Sequence, residues 1–188
     1  MNFNLKARPG FTSVFNGAIG QVLQNGKGKE YFRRSPGVRL IIPTETGLVI
    51  QREKRSYLDR EWDYRVPGGK VADTLKEYIE LIHEQFPFIH IQRAGRDEAK
   101  QEAGIIINKM AEYHQSESSA TVEHDLFYFL VSDFKWGKQE LQHEEVIEVV
   151  ELPYKEVWDL LLERKFSEDR TRAVLFEYLI KEKSSFLV

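Results

Sequence analysis

No cysteine occurs among the 188 residues, so disulfides, thiolate catalysis and cysteine-built zinc sites are all excluded. No apolar run approaches the roughly 18 residues that a membrane-spanning helix needs, and the N-terminus has no apolar h-region. Neither export nor membrane insertion is expected, and the cytoplasm is the expected compartment. No block of lysine and arginine is dense enough to suggest nucleic acid as a partner. The five histidines lack metal-ligand spacing and a nucleophile partner, and neither a Ser-His-Asp arrangement nor a P-loop is visible.

The composition itself is ordinary for a globular protein, with 41% hydrophobic and 30% charged residues and enough apolar side chains for a substantial core. The charge is distributed unevenly. Residues 1–70 carry 13 Lys/Arg against 6 Asp/Glu, a net of +7, whereas residues 71–188 carry 14 against 24, a net of −10. Two readings are open: a basic surface for an anionic substrate opposite an acidic surface for metal, or solvated faces that simply differ in sign.

Hydrophobic periodicity predicts strands before helices. Short apolar alternations at 12–15 and 19–23, with a turn at Asn25-Gly26, predict a small hairpin or meander within 1–35. Further strands are predicted at 38–42, at 48–54 after a turn over 44–47, and just before Val66. Thr74 and Glu77 form a capping box, and Leu75, Tyr78, Ile79 and Ile82 keep helical spacing, which predicts a helix over 74–86 that stops before Pro87. A second helix is predicted over about 90–103. Strands follow at 105–113, 122–132 and 145–152; Pro153 then opens a helix to about 164, and Ser167 caps a last one to about 181. No repeat, low-complexity tract or interdomain linker is present, so a single domain is expected, with a mixed sheet between helical layers.

One stretch carries chemistry. Pro67-Gly68-Gly69 forces a sharp turn, and further on a short helix holds Glu98 and Glu102 at i and i+4, hence on one face, before stopping at Gly104. Gln101 lies beside them, and Gly95, Ala99 and Ala103 form a separate stripe of small residues that would let the helix lie close to a sheet. Taken alone, two such glutamates are usually a solvated pair that repels weakly. A divalent cation removes that repulsion, since Mg²⁺ prefers one or two carboxylates together with substrate phosphates.

With the glycines on either side, the stretch from Gly69 to Ile105 resembles the Nudix box, G-x5-E-x7-R-E-U-x-E-E-x-G-U with U aliphatic. The resemblance extends from Pro36-Gly37-Val38 through Gln51-Arg52 and the run from Tyr64 to Val71, and on to the run from Glu144 to Pro153. It is similar in layout to the ADP-ribose and nucleotide-sugar pyrophosphatase branch. The resemblance implies a Nudix-like α/β/α sandwich of the α/β (α+β) class with a mixed β-sheet and an N-terminal β-extension over 1–35. The core would occupy 36–188, with an insertion at about 73–90. It also implies a homodimer acting on a small-molecule nucleoside diphosphate derivative, ADP-ribose or a nucleotide sugar first, with Mg²⁺ or Mn²⁺ as cofactor.

Position by position, the resemblance implies Glu98 and Glu102 as metal ligands, joined by the carbonyl of Gly68, with Glu145 or its neighbour Glu144 orienting or deprotonating the attacking water. Glu145 is the preferred choice. Arg52 and Arg65, which both precede the turn in sequence, are the substrate-binding candidates ahead of Arg33 and Arg34, because guanidinium holds oxyanions bidentately. Trp62, Tyr64 and Phe15 are candidate base-stacking residues, with packing as the ordinary alternative.

The box is incomplete. Asp97 stands at the arginine position, Gln101 at the first glutamate of the pair and Leu75 at the glutamate after the glycine. Twenty-seven residues separate Gly69 from Asp97, 14 more than the motif spaces, and Asp73, Glu77 or Glu80 in the inserted helix would be the replacement ligands nearest in sequence. Two other classes of function therefore stay open: a nucleotide-binding or regulatory module without catalysis, and a structural interaction protein whose acidic helix is merely solvated.

Overall fold

A computed structural model describes residues 10–55, 61–82, 87–117, 121–142 and 145–184. The chain divides into two compact units, one comprising Met1–Val38, Gly69–Gly95 and Gln115–Phe127, the other Arg39–Gly68, Arg96–His114 and Tyr128–Val188.

In the first unit, β1 (Phe11–Asn16), β2 (Gly20–Asn25) and β3 (Glu30–Arg34) form an antiparallel meander, extended in parallel by β8 (Val122–Glu123). The turn between β2 and β3 is set by Asn25, whose side-chain Oδ1 accepts from the N–H groups of Lys27 and Lys29 at 3.0 and 2.9 Å. The capping box forms as expected at the start of α1 (Leu75–Ile82). Glu77 N–H donates to Thr74 Oγ1 at 3.2 Å, while Glu77 Oε2 accepts from the N–H groups of Thr74 and Asp73 at 3.1 and 3.0 Å. Ala72, Leu75 and Tyr78 are the buried face. Arg33 and Glu123 form a buried bidentate ion pair at 3.1 and 3.2 Å.

In the second unit, β5 (Gly47–Glu53) lies between β10 (Ile147–Pro153) and β6 (Asp63–Arg65), antiparallel to both. Its first five residues are buried, as expected of a central strand. Helix α3 (Tyr154–Leu162) packs on β5, β10 and α4 (Asp169–Glu182), and Trp158 meets Phe176 edge-on at 5.0 Å.

A third sheet has the order β4-β9-β7, with β4 at Gly37–Ile41, β9 at Leu126–Trp136 and β7 at Ile105–Ser116. The N-terminal meander is present as expected, and among the described residues the strands expected in one mixed sheet fall into two hydrogen-bonded sheets, β10-β5-β6 and β4-β9-β7. Between β4 and β5 the ladder is reduced to an isolated bridge from Pro43 to Leu48, because proline has no N–H to continue it. Other boundaries differ in instructive ways. Helix α2 (Pro87–Ala103) begins at the proline that was expected only to end the preceding helix; at the first helical position the missing N–H costs nothing. The aromatic run predicted as one strand at 122–132 is two, since His124 and Asp125 leave the ladder and the Asp125 carbonyl accepts from Gly37 N–H at 2.9 Å. Ser167 does not cap α4. Its N–H and hydroxyl donate to buried Asp63 at 2.9 and 2.6 Å, and Glu168 occupies the cap position. Among the described residues, no helix is long and apolar enough to cross a membrane.

Candidate functional site

The site lies in the second unit and starts at the end of α2. Glu98 and Glu102 share a face one turn apart; Glu98 is half-buried, whereas Glu102 is 8% exposed. Ala99 and Ala103 are buried. Gly104 closes the helix in the left-handed region at φ 63°, with its N–H donating to the Lys100 carbonyl at 3.1 Å.

The carbonyls that a helix end leaves without partners are taken by residues 137–140. Gly137 N–H donates to the Gly104 carbonyl at 2.6 Å, Gln139 Nε2 to that of Glu102 at 2.6 Å, and Glu140 N–H to that of Gln101 at 2.9 Å. A Cβ on residue 104 would lie 2.9 Å from Gln139 N and 3.1 Å from the Gly137 carbonyl oxygen. Gly104→Ala is therefore expected to destabilise the chain by roughly 1–3 kcal/mol, from left-handed strain and displacement of this segment. Thermal melts that superimpose on the parent would contradict it.

Strands β5 and β6 bring the remaining groups. Their register pairs Gln51 with Arg65, Arg52 with Tyr64 and Glu53 with Asp63. Cross-strand partners share a face, so Gln51, Glu53, Asp63 and Arg65 lie on one side of the sheet and Arg52 and Tyr64 on the other. On the first side, Gln51 Nε2 donates to Glu102 Oε2 at 3.2 Å, and Arg65 ion-pairs with Glu53, which also accepts from Arg55 Nε at 2.9 Å.

The electrostatics of these acids diverge. Burial pushes the Glu102 carboxyl above its usual range; the positive charge of Arg65 and the Gln51 hydrogen bond draw it back, while Glu145 and Glu53 push it further up. Burial would also raise Glu53, but Arg65 and Arg55 overcome it and hold that carboxyl below its usual range.

The sequence candidates thus separate. Arg65 and Glu145 both act on Glu102, and Glu98 lies on the same helix face as Glu102. Glu145 N–H donates to the Gln142 carbonyl at 3.0 Å, and its Oε2 accepts from Gln142 N–H at 2.9 Å. Gly68 holds φ 145°, a conformation left to glycine, and the carbonyls beside it, of Pro67 and Gly69, accept from Leu40 and Val38 N–H at 2.9 and 3.0 Å. Arg52 is on the opposite side of the sheet. It pairs with Glu148 of β10, and its guanidinium lies 5.0 Å from the Trp62 ring, which also carries Lys54 Nζ at 4.9 Å. Tyr64, on that side too, packs on Phe166 at 6.1 Å.

Elsewhere, Arg33 is committed to Glu123 and Glu77 to its capping box. Asp73 and Glu80 are solvent-facing partners of Lys70 and Lys76. Phe15 is exposed. Glu144 lies outside the described residues.

Arg65 places a positive charge beside Glu102 and Gln51 an amide, but the groups there that could hold a cation are carboxylate oxygens. That fits a hard divalent cation such as Mg²⁺ or Mn²⁺, which takes one or two carboxylates and keeps its other positions for water and phosphate. Among the described residues, no group of three or more His, Cys, Asp or Glu converges as a ready metal cage. The residues suit a cation shared with a substrate rather than one enclosed by protein. Sequence reasoning assigned no role to Gln51, Gln139 or Glu53. The only available signal was strand parity, which places Gln51 and Glu53 on the same face as Arg65.

Neither a protein-family model nor a curated protein sequence matches the chain. Among solved structures, the chain is similar to one described as an ADP compounds hydrolase, with a TM-score of 0.62 and 17% sequence identity over 95% of this chain and 98% of that one. At that identity the likeness concerns the fold, and the Nudix-like mixed α+β class expected from the sequence is the one observed.

Proposed function

We propose that the chain hydrolyses the diphosphate linkage of a nucleoside diphosphate derivative with a divalent metal, ADP-ribose or a nucleotide sugar being the first substrates to try. The observation that carries this reading is Glu102, a carboxyl at the end of α2 that burial pushes above its usual range, with Arg65 and Gln51 drawing it back and Glu145 pushing it further up. The full-length fold likeness to an ADP compounds hydrolase supports the substrate class.

Glu98 and Glu102 would hold Mg²⁺ or Mn²⁺, with the Gly68 carbonyl as a further oxygen donor. When bound, such a cation supplies charge neutralisation at phosphate oxygens and acidifies water. Glu145 would accept the proton of the attacking water as it adds to phosphorus and the bridging P–O bond breaks. Arg65 adds a fixed positive charge on the same face as Glu102, while Arg52 would act from the other side of the sheet through its place beside Trp62. A homodimer belongs to the same proposal, supported by the apolar side chains Val14, Phe15 and Ile19 exposed on the β1–β2 hairpin. Light scattering at the 22.1 kDa mass of one chain would exclude it.

The test is turnover on a panel of nucleoside diphosphate derivatives with Mg²⁺, Mn²⁺ or chelator, with phosphatase added to reveal monophosphate products. Metal-dependent cleavage is the expected result. A second reading, a nucleotide-binding module without catalysis, is favoured by Gln101 and by the lack of a three-acid group among the described residues. Nucleotide binding with no product under any divalent metal would establish that reading instead.

A further inference from the structure

We propose that Gln51 is a positioning residue for Glu102: its buried amide fixes one carboxylate oxygen and leaves the other for a divalent cation. This rests on the metal-dependent reading above. Gln51 is 1% exposed, so its amide N–H groups need partners inside the protein, and Nε2 finds Glu102 Oε2 at 3.2 Å. The side chain is borne by the central strand β5, between Arg65 and Val149 in register, and this leaves it little freedom to turn elsewhere.

The helix is gripped from its backbone as well. Gln139 Nε2 donates to the Glu102 carbonyl at 2.6 Å and to the Ile147 carbonyl at 3.2 Å, which ties the end of α2 to the start of β10. Glu102 is thus held at main chain and side chain by two neutral amides.

Neutrality is the decisive property. Glu53, on the same sheet face, is held by two arginines, Arg65 and Arg55, so its charge is already balanced. An amide orients a carboxylate without cancelling it. A carboxylate offers about four lone-pair sites, so a single donor on Oε2 leaves room for a cation at Oε1. Arg65 acts on both acids by its charge, but it hydrogen-bonds Glu53, whereas the group that hydrogen-bonds the Glu102 carboxylate is the Gln51 amide. Groups that orient a metal ligand typically contribute about 10–100-fold in metal affinity.

The test measures Mn²⁺ binding by electron paramagnetic resonance without substrate, in the parent chain, Gln51→Met, Gln51→Leu and Glu102→Gln. Methionine keeps the length and volume of the glutamine but has no N–H; leucine is the second variant should methionine fail to fold. Binding is expected to weaken about 10–100-fold in the Gln51 variants and to be lost in Glu102→Gln. Turnover in the Gln51 variants is expected to regain the parent kcat at high metal, with the metal activation constant raised by the same factor.

Unchanged Mn²⁺ affinity in the Gln51 variants, alongside loss in Glu102→Gln, overturns the positioning role and leaves the metal-site reading standing. A kcat deficit that no excess of metal restores also overturns it, because a merely structural residue gives that pattern. Equal Mn²⁺ binding by Glu102→Gln and the parent brings down both readings.

Discussion

Glu168→Gln is expected to lower stability at neutral pH by about 3 kcal/mol and to remove much of the chain's sensitivity to mild acid. Glu168 accepts from Arg39 through both carboxylate oxygens, at 2.8 and 2.9 Å, and from the Thr171 hydroxyl. The two side chains of the pair are only 9% and 28% exposed, so water screens it weakly. Burial by itself would raise the carboxyl, but Arg39, Thr171 and Arg65 together bring it from 4.5 down to about 2. A group whose folded-state value is depressed stabilises the fold above its unfolded value, and that contribution is lost as pH falls through the folded one. Here the window runs from 4.5 down to about 2, and a tenfold change in proton affinity corresponds to about 1.4 kcal/mol. The variant also leaves Arg39 buried against a neutral amide, a change that is strongly destabilising when buried pairs are broken. For a chain of this size the loss corresponds to roughly 6–12 °C in melting temperature at neutral pH. Urea titrations at neutral pH, at about pH 4 and at about pH 2.5 should show the two proteins converging as the carboxylate is protonated. Parallel curves at all three pH values would refute the assignment of this ion pair as the acid-sensitive element.

The sequence was most informative where structure is specified within a few residues. The capping box at Thr74 and Glu77 is read from two side chains three apart, and both of its hydrogen bonds are present. Gly104 marks a helix end because only one backbone conformation stops a helix there without strain, and it has that conformation. The spacing of Glu98 and Glu102 likewise requires nothing beyond helical periodicity.

What sequence could not supply depends on contacts between distant segments. Nothing local to Gln51 shows that its partner is 51 residues away, or that Gln139 will reach the Glu102 carbonyl 37 residues back. Arg52 and Arg65 look equivalent in sequence, each a cation on a strand that precedes the glycine turn. The antiparallel register of β5 and β6 puts them on opposite sides of the sheet. Ser167 had the look of a helix cap, yet buried Asp63 offered two acceptor oxygens and took both of its donors. Pro87 had the look of a stop, but proline is as well suited to the first position of a helix as to the end of one.

Glu102→Gln should separate stability from activity, and both halves of that result are needed. The substitution keeps shape and volume. The amide can turn its oxygen toward Gln51 Nε2, so the buried hydrogen bond survives. Because burial and the neighbouring acids Glu145 and Glu53 disfavour the charged form, an anion at this position is one that the fold would hold more comfortably neutral. Removing that charge is expected to leave the melting temperature equal to or above that of the parent. Turnover should move the other way. A metal-held charge at the reacting phosphate is worth several kcal/mol in the transition state, so its loss corresponds to roughly a thousandfold drop in kcat. A group that the fold would prefer uncharged, yet that the proposed reaction needs charged, is the usual form of a conflict between stability and function. Calorimetry and steady-state kinetics on the same preparation decide the matter. Activity and melting temperature falling together would make Glu102 a structural residue, and full activity in a stable variant would remove it from the reaction altogether.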